Sequence, residues 1–200
     1  MKLRVNKEEV GALKGKAIFV DSDFLGVLYS DEEIFEETLK TLPGNLYIDP
    51  FVRFEFLRDV TDLQKRINKQ TFLNGKVFNP AISHPELYIK VRDIAINLSY
   101  IYASQNKAKG VSIVDLMLAA QLIRSPNDSI ILTGNRKDYP SIIFDAVTIL
   151  NYEPKDDNVR SITALKLNKD NYEYHKQNLE NIEEKFSREI KVGIEKKLNK

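Results

Sequence analysis

Short apolar runs that stop abruptly at acids and hydroxyls constrain this chain more than any other feature. Ala17-Ile18-Phe19-Val20 is followed at once by Asp21-Ser22-Asp23, and Ser129-Ile130-Ile131-Leu132-Thr133 runs into Gly134-Asn135-Arg136-Lys137-Asp138-Tyr139. Runs of this length, rich in β-branched side chains and bounded by polar clusters, read as buried strands. Leu46-Tyr47-Ile48, after the turn signal Pro43-Gly44-Asn45, is another, and Ala146-Val147-Thr148-Ile149-Leu150 is the fourth. Stretches of helical period lie between them. Short buried strands alternating with helices predict an α/β fold, a parallel sheet covered on both faces. Its carboxyl edge, where strands hand over to helices, is where ligands and catalytic groups collect.

The helical stretches carry their own start and stop signals. A short helix is expected from about Phe24, and Ser30-Asp31-Glu32-Glu33 has the Ser-x-x-Glu form of a capping box before Ile34, Phe35 and Leu39. Asp49 and Pro50 suit the N-cap and first position of a helix running to about Phe72. There Phe51, Phe54, Leu57 and Val60 form the apolar side, and Glu55, Arg58, Asp59 and Asp62 the opposite face, so pattern alone makes Glu55 a solvated residue. Glu86 to about Asn106 is the next helix, buried along Leu87, Val91, Ile94, Leu98 and Ile101, and Lys107-Ala108-Lys109-Gly110 ends it. Ser112 caps the most apolar helix, which carries Asp115 in its first turn. Capping explains Asp115, yet a helix apolar nearly all round is buried, and a buried carboxylate needs a partner.

Three regions follow: a lead-in over residues 1–15, with a turn of helix around Glu8 to Leu13; a main domain over 16–150; and an extension over 151–200. The extension opens on a linker, Glu153 to Asn158. An edge strand from Val159 to Leu167 comes next, then a long helix from Asn171 to Leu198. Leu179, Ile182, Phe186, Ile190, Ile194 and Leu198 stripe that helix, which must dock on its own domain or on a second copy, a homodimer being preferred. With 42% apolar residues the chain can build a core. It has no cysteine, which excludes disulfides, thiolate metal sites and a cysteine nucleophile. No stretch approaches the roughly 20 apolar residues of a membrane span, so a cytoplasmic protein without a membrane partner is expected. A net charge of +1 with 30% charged residues argues neither for nor against nucleic acid.

Two strand ends present Asp21, Ser22 and Asp23, and Thr133, Asn135 and Asp138; helix starts add Glu55 and Asp115. Four carboxylates facing one cleft repel one another unless a cation neutralises them or some stay protonated. Oxygen donors without histidine or cysteine point to Mg²⁺ or Mn²⁺. His84 and His175 are isolated, and read as surface or hydrogen-bonded side chains.

These residues, in this order, resemble the PIN domain, a family of metal-dependent nucleases. The resemblance rests on Val20-Asp21-Ser22-Asp23, Glu55 in a helix after the second strand, Val114-Asp115 leading an alanine-bearing helix, and Leu132-Thr133-Gly134-Asn135-Arg136-Lys137-Asp138-Tyr139, over about residues 16 to 150. It implies a three-layer α/β/α fold and an Mg²⁺- or Mn²⁺-dependent endoribonuclease. Asp21, Glu55, Asp115 and Asp138 would be both catalytic and metal-binding, with Ser22, Asp23, Thr133 and Asn135 in support. Arg53, Arg58, Arg136 and Lys137 would contact RNA, and Tyr139 would stack on a base. Many members are toxins restrained by an antitoxin protein, often as dimers, although the tail here is long for them. Phe19-Val20-Asp21-Ser22-Asp23 also looks like the opening of haloacid dehalogenase-like phosphatases, with Asp21 as nucleophile; there Asp156-Asp157 fits the later acidic pair poorly. A non-catalytic interaction module on the same scaffold is the third reading.

Overall fold

The computed structural model describes residues 2–4, 10–82, 84–104, 111–153 and 159–198, with the backbone alone for 2–4, 153, 183 and 185–198. Seven strands form one sheet: β1 (Lys2–Arg4), β2 (Ala17–Val20), β3 (Asn45–Ile48), β4 (Phe78–Pro80), β5 (Ser129–Thr133), β6 (Phe144–Glu153) and β7 (Arg160–Leu167). Their spatial order is β1-β6-β7-β5-β2-β3-β4. The four strands β4, β3, β2 and β5 run parallel. Beyond them β7 lies antiparallel on β5, β6 on β7, and β1 on β6.

The sheet is therefore mixed, not wholly parallel, and β7 is an interior strand, not an edge. Chain economy explains both corrections. Only residues 154–159 separate β6 from β7, a length that suits an antiparallel neighbour, whereas a parallel one needs a crossover of about a dozen residues or more. The β6–β7 ladder runs from Phe144 opposite Leu167 to Tyr152 opposite Arg160, with one irregularity between Ala146 and Thr148. The lead-in supplies an edge strand, β1. Of its expected turn of helix, Val10 and Gly11 are helical, while Glu8 and Glu9 lie outside the described residues. Outside them also lie the stop at Lys107–Gly110, Pro154–Asn158 of the linker, and the side chains of Phe186, Ile190, Ile194 and Leu198.

Among the described residues the longer helices are α1 (Ser22–Ser30), α2 (Glu32–Thr41), α3 (Pro50–Arg58), α4 (Leu63–Leu73), α5 (Pro85–Ser104), α6 (Ile113–Arg124) and α7 (Lys169–Leu198). Every residue of β5 and the last three of β2 are buried, so helices cover both faces of the sheet there. Asp31, not Ser30, caps α2, accepting from the Ile34 amide at 3.2 Å; the Ser30 hydroxyl instead donates to the Val27 carbonyl within α1. The expected helix from Pro50 to Phe72 is two helices. Asp62 accepts from the Lys65 amide at 2.7 Å and so starts a new one.

The helix α4 stands out from the body. Residues 63–68 are all exposed and only Leu73 is buried. It is tethered by an aromatic cluster in which Phe72 meets Tyr29, Phe35, Phe56 and Phe78 at centroid distances of 5.2 to 6.2 Å. Lys69 adds a second tether, its ammonium 4.0 Å from the Phe56 ring centroid and donating to the Phe56 carbonyl at 2.8 Å. At the start of β3 the backbone passes so close that only glycine fits. A Cβ on Gly44 would lie 2.6 Å from the Lys16 carbonyl oxygen and 2.7 Å from Ile18 Cδ1.

Candidate acidic site at the strand ends

Parallel pairing of β2 with β5 builds the site's centre. Val20 lies opposite Leu132, so Asp21, just past the end of β2, comes beside Thr133, the last residue of β5. The Asp21 amide donates to the Leu132 carbonyl at 3.0 Å, and the Thr133 hydroxyl donates to Asp21 Oδ2 at 2.6 Å. Asp21 also caps α1, its Oδ1 accepting from the Ser22 amide at 2.6 Å. Asp21 is only 3% exposed. Burial outweighs the Thr133 bond, and with the nearby charges of Asp115 and Asp23 it pushes the Asp21 carboxyl up to about 7.

The other expected acids arrive from separate elements. Glu55 of α3 accepts from the Ser22 hydroxyl at 2.7 Å, so it turns toward the site that its helical pattern had placed it away from. That pattern holds in part: Phe51 and Leu57 pack against the core and Arg58, Asp59 and Asp62 are exposed, but Val52 and Phe56 are the fully buried residues and Phe54 is 66% exposed. The break at residues 59–62 frees α3 to dock along a different face. Asp115 sits at the start of α6 in a complete capping box. The Ser112 amide and hydroxyl donate to Asp115 Oδ2 at 3.0 and 2.7 Å, and the same hydroxyl accepts from the Asp115 amide at 3.1 Å. At 8% exposure it is both a cap and a buried carboxyl group. Asp138 accepts from the Asn135 side-chain amide, while the Asn135 backbone amide donates to the Thr133 hydroxyl at 2.9 Å. Partial burial, and then the charges of Asp115, Asp23 and Glu55, raise the Asp138 carboxyl above its usual range against the pull of Lys137.

Asp21, Glu55, Asp115 and Asp138 thus share one electrostatic field at one end of the parallel strands. They do not form a closed cage: among the described residues no group of three carboxylates and histidines is placed to hold a metal ion. Asp23 is exposed, and its Cβ and Oδ2 would lie 3.2 and 3.4 Å from a Cβ on Gly134, so glycine there lets α1 start against the β5 turn.

Two expected RNA contacts are placed otherwise. Tyr139 is 1% exposed and packs edge-on against Phe144 at 5.8 Å, so it cannot stack on a base. Arg136 spends its guanidinium on the Tyr139 and Phe144 carbonyls, pinning the loop after β5. Lys137 is exposed, Arg58 pairs with Glu55 at 3.9 Å, and Arg53 donates to Asn74. Beneath the acids lie two features that sequence reading missed. The hydroxyls of Tyr102 and Tyr139 are buried without a hydrogen-bond partner, and burial followed by the neighbouring carboxylates pushes both phenols upward. Tyr102, directly after Ile101 on the apolar stripe of α5, was the signal: a hydroxyl among core residues.

A second buried acid, Asp49, lies at the end of β3. It caps α3, accepting from the Phe51 amide at 2.9 Å and from the Gln121 amide of α6 at 3.0 Å, and burial raises it too. This matches its expected role as an N-cap.

Fold and site together define an α/β protein with a mixed sheet and an acidic cluster at the carboxyl ends of its parallel strands. No family model matches the chain, and no curated protein or solved structure matches it either. Among the described residues no helix is long and apolar enough to cross a membrane.

Proposed function

We propose that the protein is an Mg²⁺- or Mn²⁺-dependent endoribonuclease of PIN-like design. One observation carries the reading: Asp21, Glu55, Asp115 and Asp138, drawn from four separate elements, converge electrostatically on one strand edge. Uncompensated acids in such a place cost stability, so their retention there fits a cation. The donor set is entirely anionic oxygen, the chemistry of hard divalent ions. Mg²⁺ keeps several waters and takes one or two carboxylates directly, which suits a set with no three side chains in a ready cage.

In this reading Asp21 is held rigid by Thr133 and the Ser22 amide, and Asn135 holds Asp138. Glu55 and Asp115 retain hydroxyl partners in Ser22 and Ser112 that orient them. A bound divalent ion would supply an activated water and charge stabilisation on a phosphoryl group. Ionised Asp21 is the form that binds it, so metal uptake displaces the proton this buried carboxyl holds in the metal-free protein and weakens as the pH falls. The phosphatase reading draws less support, because both oxygens of Asp21 are engaged and the group is almost wholly buried, a poor posture for a nucleophile. An antitoxin partner and a homodimer stay within the proposal as properties of the resembled family.

The test is cleavage of a labelled RNA by the wild type, Asp21→Asn and Asp115→Asn, with Mn²⁺ and with EDTA. Cleavage lost in EDTA and in both folded variants is expected; variants that cut at the wild-type rate would sink the assignment.

A further inference from the structure

The solvent side of α3 beside the acidic cluster is aromatic and basic. Phe54 is 66% exposed and directly precedes Glu55. One turn earlier, Phe51 stacks on Tyr88 of α5, centroids 6.2 Å apart and planes at 21°, and Tyr88 is itself 38% exposed. Phe51, Phe54 and Arg58 follow the i, i+3, i+7 spacing of one helix face, and Arg53 adjoins Phe54 on the other side. An exposed ring of this size leaves apolar surface that an occupant could cover.

The surroundings select the occupant. A protein partner would want the apolar surface continued, but here charges interrupt it at Arg53, Glu55 and Arg58. Aromatic faces alternating with cations are the pattern of single-strand binding, in which bases stack and phosphates pair with arginine. The Arg58 side chain is 52% exposed; its 3.4 Å pair with Asp59 is an exposed ion pair and its contact with the half-buried Glu55 is long, at 3.9 Å, so a phosphate can replace the first.

We infer that Phe54, one turn along α3 from the Phe51–Tyr88 pair and near Arg53 and Arg58 on the same helix, is a stacking platform for a base of single-stranded RNA lying beside the acidic cluster. The inference rests on the ribonuclease reading and narrows its substrate to RNA that is unpaired at the site. The chain contains no tryptophan, so Phe54→Trp introduces a sole indole at the platform. In EDTA, a single-stranded twelve-nucleotide oligoadenylate is expected to quench that emission saturably, and a blunt RNA duplex of equal length to leave it unchanged. By fluorescence anisotropy, Phe54→Ala should weaken oligoadenylate binding roughly 5- to 100-fold and Phe54→Trp restore it. Undiminished affinity of Phe54→Ala, or bound oligoadenylate without quenching, overturns the platform even where the wild type cleaves RNA. Quenching with weakened Phe54→Ala binding supports the platform even where no cleavage occurs, in which case the ribonuclease reading alone falls. Emission that changes with protein concentration in the absence of RNA overturns the inference in favour of contact between two copies.

Discussion

Asp21 sits where two demands conflict. As a cap and a partner of Thr133 it is well placed, yet burial makes its ionised form costly, on the order of 4 kcal/mol above pH 7. The folded state holds this proton more tightly than the unfolded chain, whose carboxyl titrates near 3.8. Stability therefore falls as the pH rises from about 4 to about 7 and levels off beyond. Asp21→Asn lacks this loss, so its unfolding free energy relative to the wild type should climb across that window, measured by urea denaturation at a series of pH values. Parallel profiles would refute the shift. Residues of this kind were legible in the sequence because a strand end or a helix start marks them: Asp21, Asp115 and the Thr133–Asp138 turn all stood out. Glu55 is named by the order of the acids while its helical pattern points the other way, since its direction depends on which face of α3 docks, and polarity at a loop position says nothing about the Tyr139 ring being turned inward.

Elements failed or held according to whether their boundaries have local chemistry. Ser112 and Asp115 are close in sequence, and the capping box they predict is present in full. Asp62 is equally local, but it was counted into a continuous polar face, which concealed the break between α3 and α4. Because α4 buries little, its cap carries an unusual share of its stability. Asp62→Ala should cost about 1 kcal/mol, felt locally. Amide exchange is expected to quicken through Leu63–Leu73 with β2 and β5 unchanged; a uniform acceleration across the sheet would show that α4 is coupled to the whole fold instead.

For the molecule as a whole, strand composition revealed an α/β protein but not its strand order, because β7 looks the same in sequence whether it lies at an edge or inside. Its position between β5 and β6 makes residues 160–167 part of the main sheet, so the division at residue 150 is not a separable boundary. A chain stopped at residue 153 should therefore lack a cooperative thermal transition by circular dichroism; a sharp transition near that of the full chain would contradict this. Binding belongs to the same scale. Under the proposed function, Mn²⁺ at 100 times its dissociation constant should stabilise the full chain by roughly 2.7 kcal/mol, and Asp21→Asn should respond far less. A melting temperature indifferent to Mn²⁺ in the wild type would count against the cation.

The interior place of β7 also sets an order of events during synthesis. While the polypeptide grows from its amino end, β5 and its Thr133 can pair with β2 but keep an open flank until residue 167 has emerged. An open strand flank invites pairing with other chains. The same order leaves the strand that bonds Asp21 without its β7 neighbour, so the sheet around the acidic cluster is complete only once residue 167 is available.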